Sequence, residues 1–145
     1  MKVVLQRVKE AAVSTGGEKV GQIGRGLCLL VGMEKGDTED RVRNMAAKIV
    51  ELRIFPDEKD RMNRSLLDIN GEVLAVSQFT LAGSVKKGRR PSFDGAELPE
   101  RAKVLFDRFI ELLRERGIVV QTGLFGALME VRLVNDGPVT FVIEK

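Results

Sequence analysis

At 145 residues, with no histidine, one cysteine and a formal net charge of +3, the chain has the length of a single domain, 1–145, able to bury a full core without disulfide staples. Zero histidines exclude the usual general base, any Ser-His-Asp or Cys-His arrangement and zinc sites built on Cys and His. Catalysis must then draw on backbone donors, hydroxyls, carboxylates, lysines or groups carried by the substrate.

Met1 to Val8 carries Val3, Val4, Leu5 and Val8 and suits a first strand, while Gln6, Arg7 and Lys9 interrupt it too early for a signal peptide or membrane span. Ala11 to Thr15, Gly16-Gly17 and Glu18 to Ile23 predict a hairpin, because paired glycines supply the positive φ of tight hairpin turns. Leu27 to Val31 reads as a buried strand. Cys28 within it behaves as a small hydrophobe, and with no partner it points to a reducing compartment and a soluble cytoplasmic protein. Asp37 is expected to cap a helix whose face is Val42, Met45, Ala46, Ile49 and Leu52, with Glu39 and Asp40 favourable to its dipole. Arg53 to Phe55 forms a short segment ended by Pro56, and Asp57 to Arg64 reads as a charged loop. Ser65 to Ile69 is a weak element ahead of the Asn70-Gly71 turn.

Val73, Leu74, Ala75 and Val76 form a short continuous apolar run after that turn, which fits a strand covered on both faces. The run stops in Ser77, Gln78, Phe79 and Thr80. Taken alone, these polar groups satisfy backbone where a strand ends; at the exit of a central strand they are also held by the sheet while reaching solvent, where a site is easily built. Gly83 to Gly95 has glycine, proline and basic residues without periodicity and reads as a long functional loop. From Val73 to Phe93 there is no Asp or Glu, while Lys86, Lys87, Arg89 and Arg90 contribute +4, so the remainder of the chain carries 3 minus 4, or −1. A local anion-attracting patch follows, unless these side chains only aid solubility. The segment approaches a phosphate-loop pattern, but Arg89 and Arg90 stand where Lys and Ser/Thr are required.

Pro99 suits the first turn of a second helix with the face Ala102, Leu105, Phe106, Phe109, Leu112 and Leu113, ended by Gly117. Ile118 to Gln121 is a short strand. Ala127 to Val134 alternates as a longer one with a wetter face, and Asn135-Asp136-Gly137-Pro138 is expected to turn it into a last strand, Val139 to Ile143. The sum is an α/β layered domain.

Ser77-Gln78-Phe79-Thr80-Leu81 and Asn135-Asp136-Gly137-Pro138-Val139-Thr140 together resemble the D-aminoacyl-tRNA deacylase family. The resemblance extends through Gln6-Arg7-Val8, Val31-Gly32 to Gly36-Asp37-Thr38, Leu52-Arg53-Ile54-Phe55, Met62-Asn63, Lys87-Gly88, Arg90-Pro91-Ser92-Phe93, Thr122-Gly123 and Phe125-Gly126-Ala127. One departure is Ala82-Gly83, where the family often has a tyrosine and then a small residue.

The resemblance implies a homodimer of a single layered α/β/β fold, with mixed sheets and two long helices. It implies hydrolysis of the ester between a D-amino acid, or glycine, and the 3′-terminal ribose of tRNA, with L-aminoacyl-tRNA rejected and no metal or organic cofactor. Its partners would be tRNA and a second copy of the chain, not DNA or a membrane. It implies catalytic roles for Ser77, Gln78, Phe79 and Thr80 and a cis Gly137-Pro138 bond inserted from one subunit into the other's pocket. Arg7 would brace this wall, and Phe125 and Met129 would lie near the terminal adenosine. The basic loop fits the same substrate by its charge, since Lys86, Lys87, Arg89 and Arg90 can contact phosphates without reading bases. Two other readings stand beside it: a non-catalytic RNA-binding dimer, and a hydrolase of small acyl esters that would not need the basic loop.

Overall fold

The computed structural model describes residues 1–145. Its elements in chain order are β1 (Lys2–Thr15), β2 (Glu18–Ile23), β3 (Gly26–Gly32), α1 (Glu39–Glu51), β4 (Phe55–Pro56), β5 (Met62–Arg64) and β6 (Glu72–Ser77). A 3-10 turn (Phe79–Ala82), α2 (Pro99–Glu115), β7 (Val120–Thr122) and β8 (Glu130–Glu144) follow. The main sheet has six strands in the order β2-β1-β3-β6-β7, with β8 along the other side of β1, and β4 pairs only with β5. Strands β3, β6 and β7 are mutually parallel; the remaining pairings of the main sheet are antiparallel. The result is a mixed α/β fold with two helices.

Both faces of the parallel trio are covered, and the alternation of side chains decides which core each joins. Leu27, Leu29, Val31, Val73 and Ala75 face a large core shared with α1 and α2, including Met45, Ile49, Phe106 and Phe109. Cys28, Leu74 and Val76 face a second core with Val8, Ala11, Val13 and Ile23, fringed by Met129, Val131 and Leu133. This second core closes because the sheet curls on itself. A Cβ at Gly21 of β2 would lie 2.9 Å from the Thr122 carbonyl oxygen of β7, so only glycine lets the sheet come so close. Burial pushes the Cys28 thiol up to about 11, which keeps it protonated and unreactive.

Several expectations change. The stretch from Asp57 to Arg64 is not all loop, since Met62–Arg64 forms β5 and pairs with Phe55–Pro56. Asn135 to Pro138 do not end one strand and begin another: β8 runs from Glu130 to Glu144, Lys2 to Ser14 of β1 pair with both halves of it, and Asp136 to Val139 bulge out as a corner between the Asn135–Val8 and Thr140–Gln6 pairs. The cis Gly137-Pro138 bond sits inside this strand. Likewise the first strand and the hairpin arm merge into β1. Finally, Asp37 does not cap α1. Thr38 does, its hydroxyl accepting from Arg41 N-H, whereas the fully buried Asp37 carboxylate accepts from the Met1 ammonium at 2.6 Å and from Glu34 N-H at 2.7 Å.

Breaking a buried ion pair from one side leaves a buried charge, so Asp37→Asn is expected to lower the unfolding free energy by roughly 3–5 kcal/mol. Thr38→Ala should cost about 1 kcal/mol, as a lost N-cap does. Urea unfolding of both variants checks this, and equal losses would reduce Asp37 to an ordinary cap.

Candidate active site

Strands β3, β6 and β7 end on the same side of the sheet, and ligand crevices of open α/β sheets lie outside the carboxyl ends of their strands. A cavity of about 490 Å³ opens there. Met33 follows β3, Val76 to Phe79 leave β6, Phe125 to Met129 lie between β7 and β8, and Ala96, Glu97, Pro99 and Ala102 come from the entry to α2.

The chain leaves β6 without fraying. Gln78 N-H still donates to Val31 O at 2.8 Å, and the 3-10 turn then begins, with Leu81 N-H donating to Gln78 O at 3.2 Å. The first N-H groups of such a turn, those of Phe79 and Thr80, have no partner within it and are available to an acceptor from outside. The turn sits against β3 because residue 32 is glycine: a Cβ there would lie 2.9 Å from both Gln78 O and Leu81 Cβ. Gln78 Nε2 donates to the Thr80 hydroxyl. Ser77 and Gln78 are half-buried, and Phe79 is 58% exposed at the rim.

Of the residues singled out from sequence, Ser77, Gln78, Phe79, Phe125 and Met129 converge on the cavity, and Thr80 stands beside it on the turn. Phe125 packs on Phe106 of α2 with ring centroids 6.1 Å apart. Lys86, Lys87, Arg89 and Arg90 are exposed on the neighbouring loop, whose base is stapled by Ser84 N-H to Ser92 O at 2.8 Å and Ser92 N-H to Ser84 O at 2.9 Å. Gly137 and Pro138 do not line the cavity of their own chain and are exposed. Their corner is held from behind by Arg7, whose Nε donates to Asp136 O at 2.9 Å while another guanidinium N-H donates to Ile54 O at 2.6 Å. Asn135 Nδ2 donates to Arg7 O at 3.2 Å and to Val139 O at 3.1 Å, and a Cβ at Gly137 would collide with Asn135 Oδ1.

Glu97 was missed by sequence reasoning and is the one charged side chain lining the cavity. Its side chain is 8% exposed, and the carboxylate is held by Arg101 Nε at 3.4 Å and by Leu98 N-H at 2.8 Å. The available signal was its place two residues ahead of Pro99, where a helix start brings the chain back over the sheet.

Residues 4–144 match the family model described as D-Tyr-tRNA(Tyr) deacylase. The chain is 54% identical over 145 residues to the D-aminoacyl-tRNA deacylase of Pelobacter propionicus and 57% identical over 145 residues to that of Exiguobacterium sibiricum, covering 100% of each. Among solved structures, the c-Myc DNA Unwinding Element Binding Protein superposes with a TM-score of 0.94 at 43% identity, over 100% of this chain and 99% of that one. A probable eukaryotic D-amino acid tRNA deacylase shares the fold, with a TM-score of 0.80 at 22% identity over 98% of both chains.

A side chain at residue 32 forces the turn off β3. Gly32→Ala is therefore expected to stay folded, to lose about 1–3 kcal/mol as overpacked sites do, and to speed amide hydrogen exchange at Phe79 to Ala82. Exchange unchanged at those amides would show that the turn does not depend on this contact.

Proposed function

Because the chain belongs to the D-Tyr-tRNA(Tyr) deacylase family, we propose that it hydrolyses the ester joining a D-amino acid, or glycine, to the 3′-terminal ribose of tRNA, in the cytoplasm where that substrate arises. The observation that carries this reading is the cavity at the strand ends, lined by Ser77, Gln78 and Phe79 in a chain alike throughout its length to curated deacylases.

The chemistry is built from main chain. The free N-H groups of Phe79 and Thr80 stabilise the charge that develops on the ester oxygen, with Gln78 beside them, as donors aimed at a developing oxyanion do. Water is the nucleophile. The Thr80 hydroxyl has the Gln78 carboxamide as its side-chain partner, and a carboxamide is no base in either orientation, so nothing there activates Thr80 for attack. The substrate's own 2′-hydroxyl relays the proton. No metal or organic cofactor takes part in this scheme.

Selection by handedness is assigned to a second copy of the chain. The exposed Gly137 and Pro138 of one protomer enter the cavity of its partner, where their carbonyls accept the substrate ammonium and their backbone occupies the direction an L side chain would take. Glycine has no side chain to collide and passes. Arg7, Asn135 and the absence of a Cβ at Gly137 make that corner stiff, and the exposed Phe79 and Leu128, 58% and 94% accessible at the cavity rim, favour a surface that covers them. Phe125 and Met129 flank the terminal adenosine. The exposed cations Lys86, Lys87, Arg89 and Arg90 contact phosphates without reading bases.

Incubation with D-tyrosyl-tRNA, L-tyrosyl-tRNA and a free D-tyrosine ester tests the activity. Only the first should be cleaved efficiently; cleavage of the free ester alone would mark a small-ester hydrolase, and none at all an RNA-binding protein. The mechanism is tested separately: Thr80→Ala should retain turnover within about tenfold, while D-tyrosyl-tRNA ending in 2′-deoxyadenosine should lose roughly 10²–10⁴-fold, the usual contribution of a positioned proton relay. A dead alanine variant with an active deoxy substrate would make Thr80 the nucleophile.

A further inference from the structure

Phe93 lies outside the cavity, yet it joins the basic loop to the turn that carries the proposed oxyanion donors. Its ring meets Phe79 edge-on, with centroids 5.1 Å apart and planes at 62°. Both rings are partly in water, Phe79 58% and Phe93 39% exposed, so this pair is not a by-product of core packing. The chain on either side allows little slack. Ser84 and Ser92 exchange two backbone hydrogen bonds that close the loop, and Phe93 follows that staple directly. Ser92 Oγ donates to Asp94 Oδ2 at 2.7 Å, and Ala96 N-H donates to Phe93 O at 2.9 Å, fixing the return. On the other strand Gly83 N-H donates to Thr80 O at 3.0 Å, and a Cβ at Gly83 would lie 3.0 Å from Phe93 Cε1 and 2.8 Å from that same oxygen. The staple and the ring pair thus form one continuous line of contacts from the cationic tip to Phe79.

We propose that Phe93 is a positioning residue that couples phosphate binding at Lys86, Lys87, Arg89 and Arg90 to the placement of the Phe79 and Thr80 N-H groups, so that the body of the tRNA raises kcat as well as affinity. This rests on the deacylase reading above. Capture of phosphates orders the tip; the closed loop seats Phe93; and the seated ring fixes Phe79, whose N-H meets the developing charge. A substrate without a tRNA body leaves the tip unloaded and gains nothing from Phe93.

The test compares D-tyrosyl-tRNA with 3′-O-D-tyrosyl-adenosine in the wild type, Phe93→Ala, Phe93→Tyr, a loop variant with Lys86, Lys87, Arg89 and Arg90 all replaced by glutamine, and the combination of Phe93→Ala with that loop variant. Expected is a loss of about tenfold in kcat for the tRNA substrate in Phe93→Ala, in the range of couplings between contacting groups. The adenosine ester should change by less than about twofold, and Phe93→Tyr, which keeps the ring, should restore kcat. Loop neutralisation should lower kcat in the wild type but only raise KM in the Phe93→Ala background. Equal slowing of both substrates would make Phe93 a structural prop, and multiplicative losses in the combined variant would mean no coupling; either overturns the proposal and leaves the deacylase reading intact. If loop neutralisation neither weakens tRNA binding at low salt nor flattens its salt dependence, the loop is not on the binding surface and the assignment of the four cations falls with it.

Discussion

Strand β6 has no wet face, and the placement of the site follows from that constraint. Val73, Leu74 and Ala75 are fully buried and Val76 is 1% exposed, two of them on the helical core and two on the inner one. Burying a Val or Leu side chain contributes about 1.5–3 kcal/mol, while an unpaired hydroxyl or amide in the same place costs roughly 2–7 kcal/mol. One polar residue inside the run would cancel one or two apolar neighbours, so polar chemistry is displaced to where the strand leaves the sheet. The parallel neighbours β3 and β7 end beside it, and the return into α2 roofs the same spot.

What the sequence revealed about the fold is what local period controls. The apolar runs of β3 and β6 and the faces of α1 and α2 are legible because each residue's burial follows from its own element's geometry. The continuity of β8 is not legible. Asn-Asp-Gly-Pro has the local chemistry of a turn, and only pairing on both sides of it with β1 overrules that preference. Asp37 is a similar case: a carboxylate just before a helix satisfies the pattern of a cap, and its partner, the Met1 ammonium, is 36 residues away. The curl of the sheet, which closes the inner core around Cys28 and Leu74, depends on the absence of a side chain at Gly21 meeting β7, a contact with no period to betray it.

Within the site the division is the same. Ser77 to Thr80 stand out because a polar cluster interrupts an apolar run, and the basic loop because twenty-one residues pass without an acid. Met33 and Glu97 do not stand out, since they are ordinary residues that line the cavity beside the bridge between Glu34 and Ala96, with Glu97 N-H donating to Met33 O at 3.2 Å. Gly32 is quoted in the family resemblance, but its reason emerges only in three dimensions, as the clearance that lets the turn approach β3.

A turn that presents backbone N-H groups has a different requirement from a site built on ionisable side chains. Side chains can be retuned by a neighbouring charge, whereas a main-chain donor can be adjusted only by moving the chain. Its geometry must be set by neighbours that do not give, here Val31 O accepting from Gln78 N-H and the missing Cβ at Gly32. The cations lie apart from this, exposed on the loop. Salt screens exposed charges over about 8 Å at physiological ionic strength, so it weakens what the loop attracts while leaving the short hydrogen bonds and steric stops of the turn intact. On the reading proposed above, capture and geometry fall to different kinds of force in adjoining segments of one chain, and the ring of Phe93 against Phe79 is where the two segments touch.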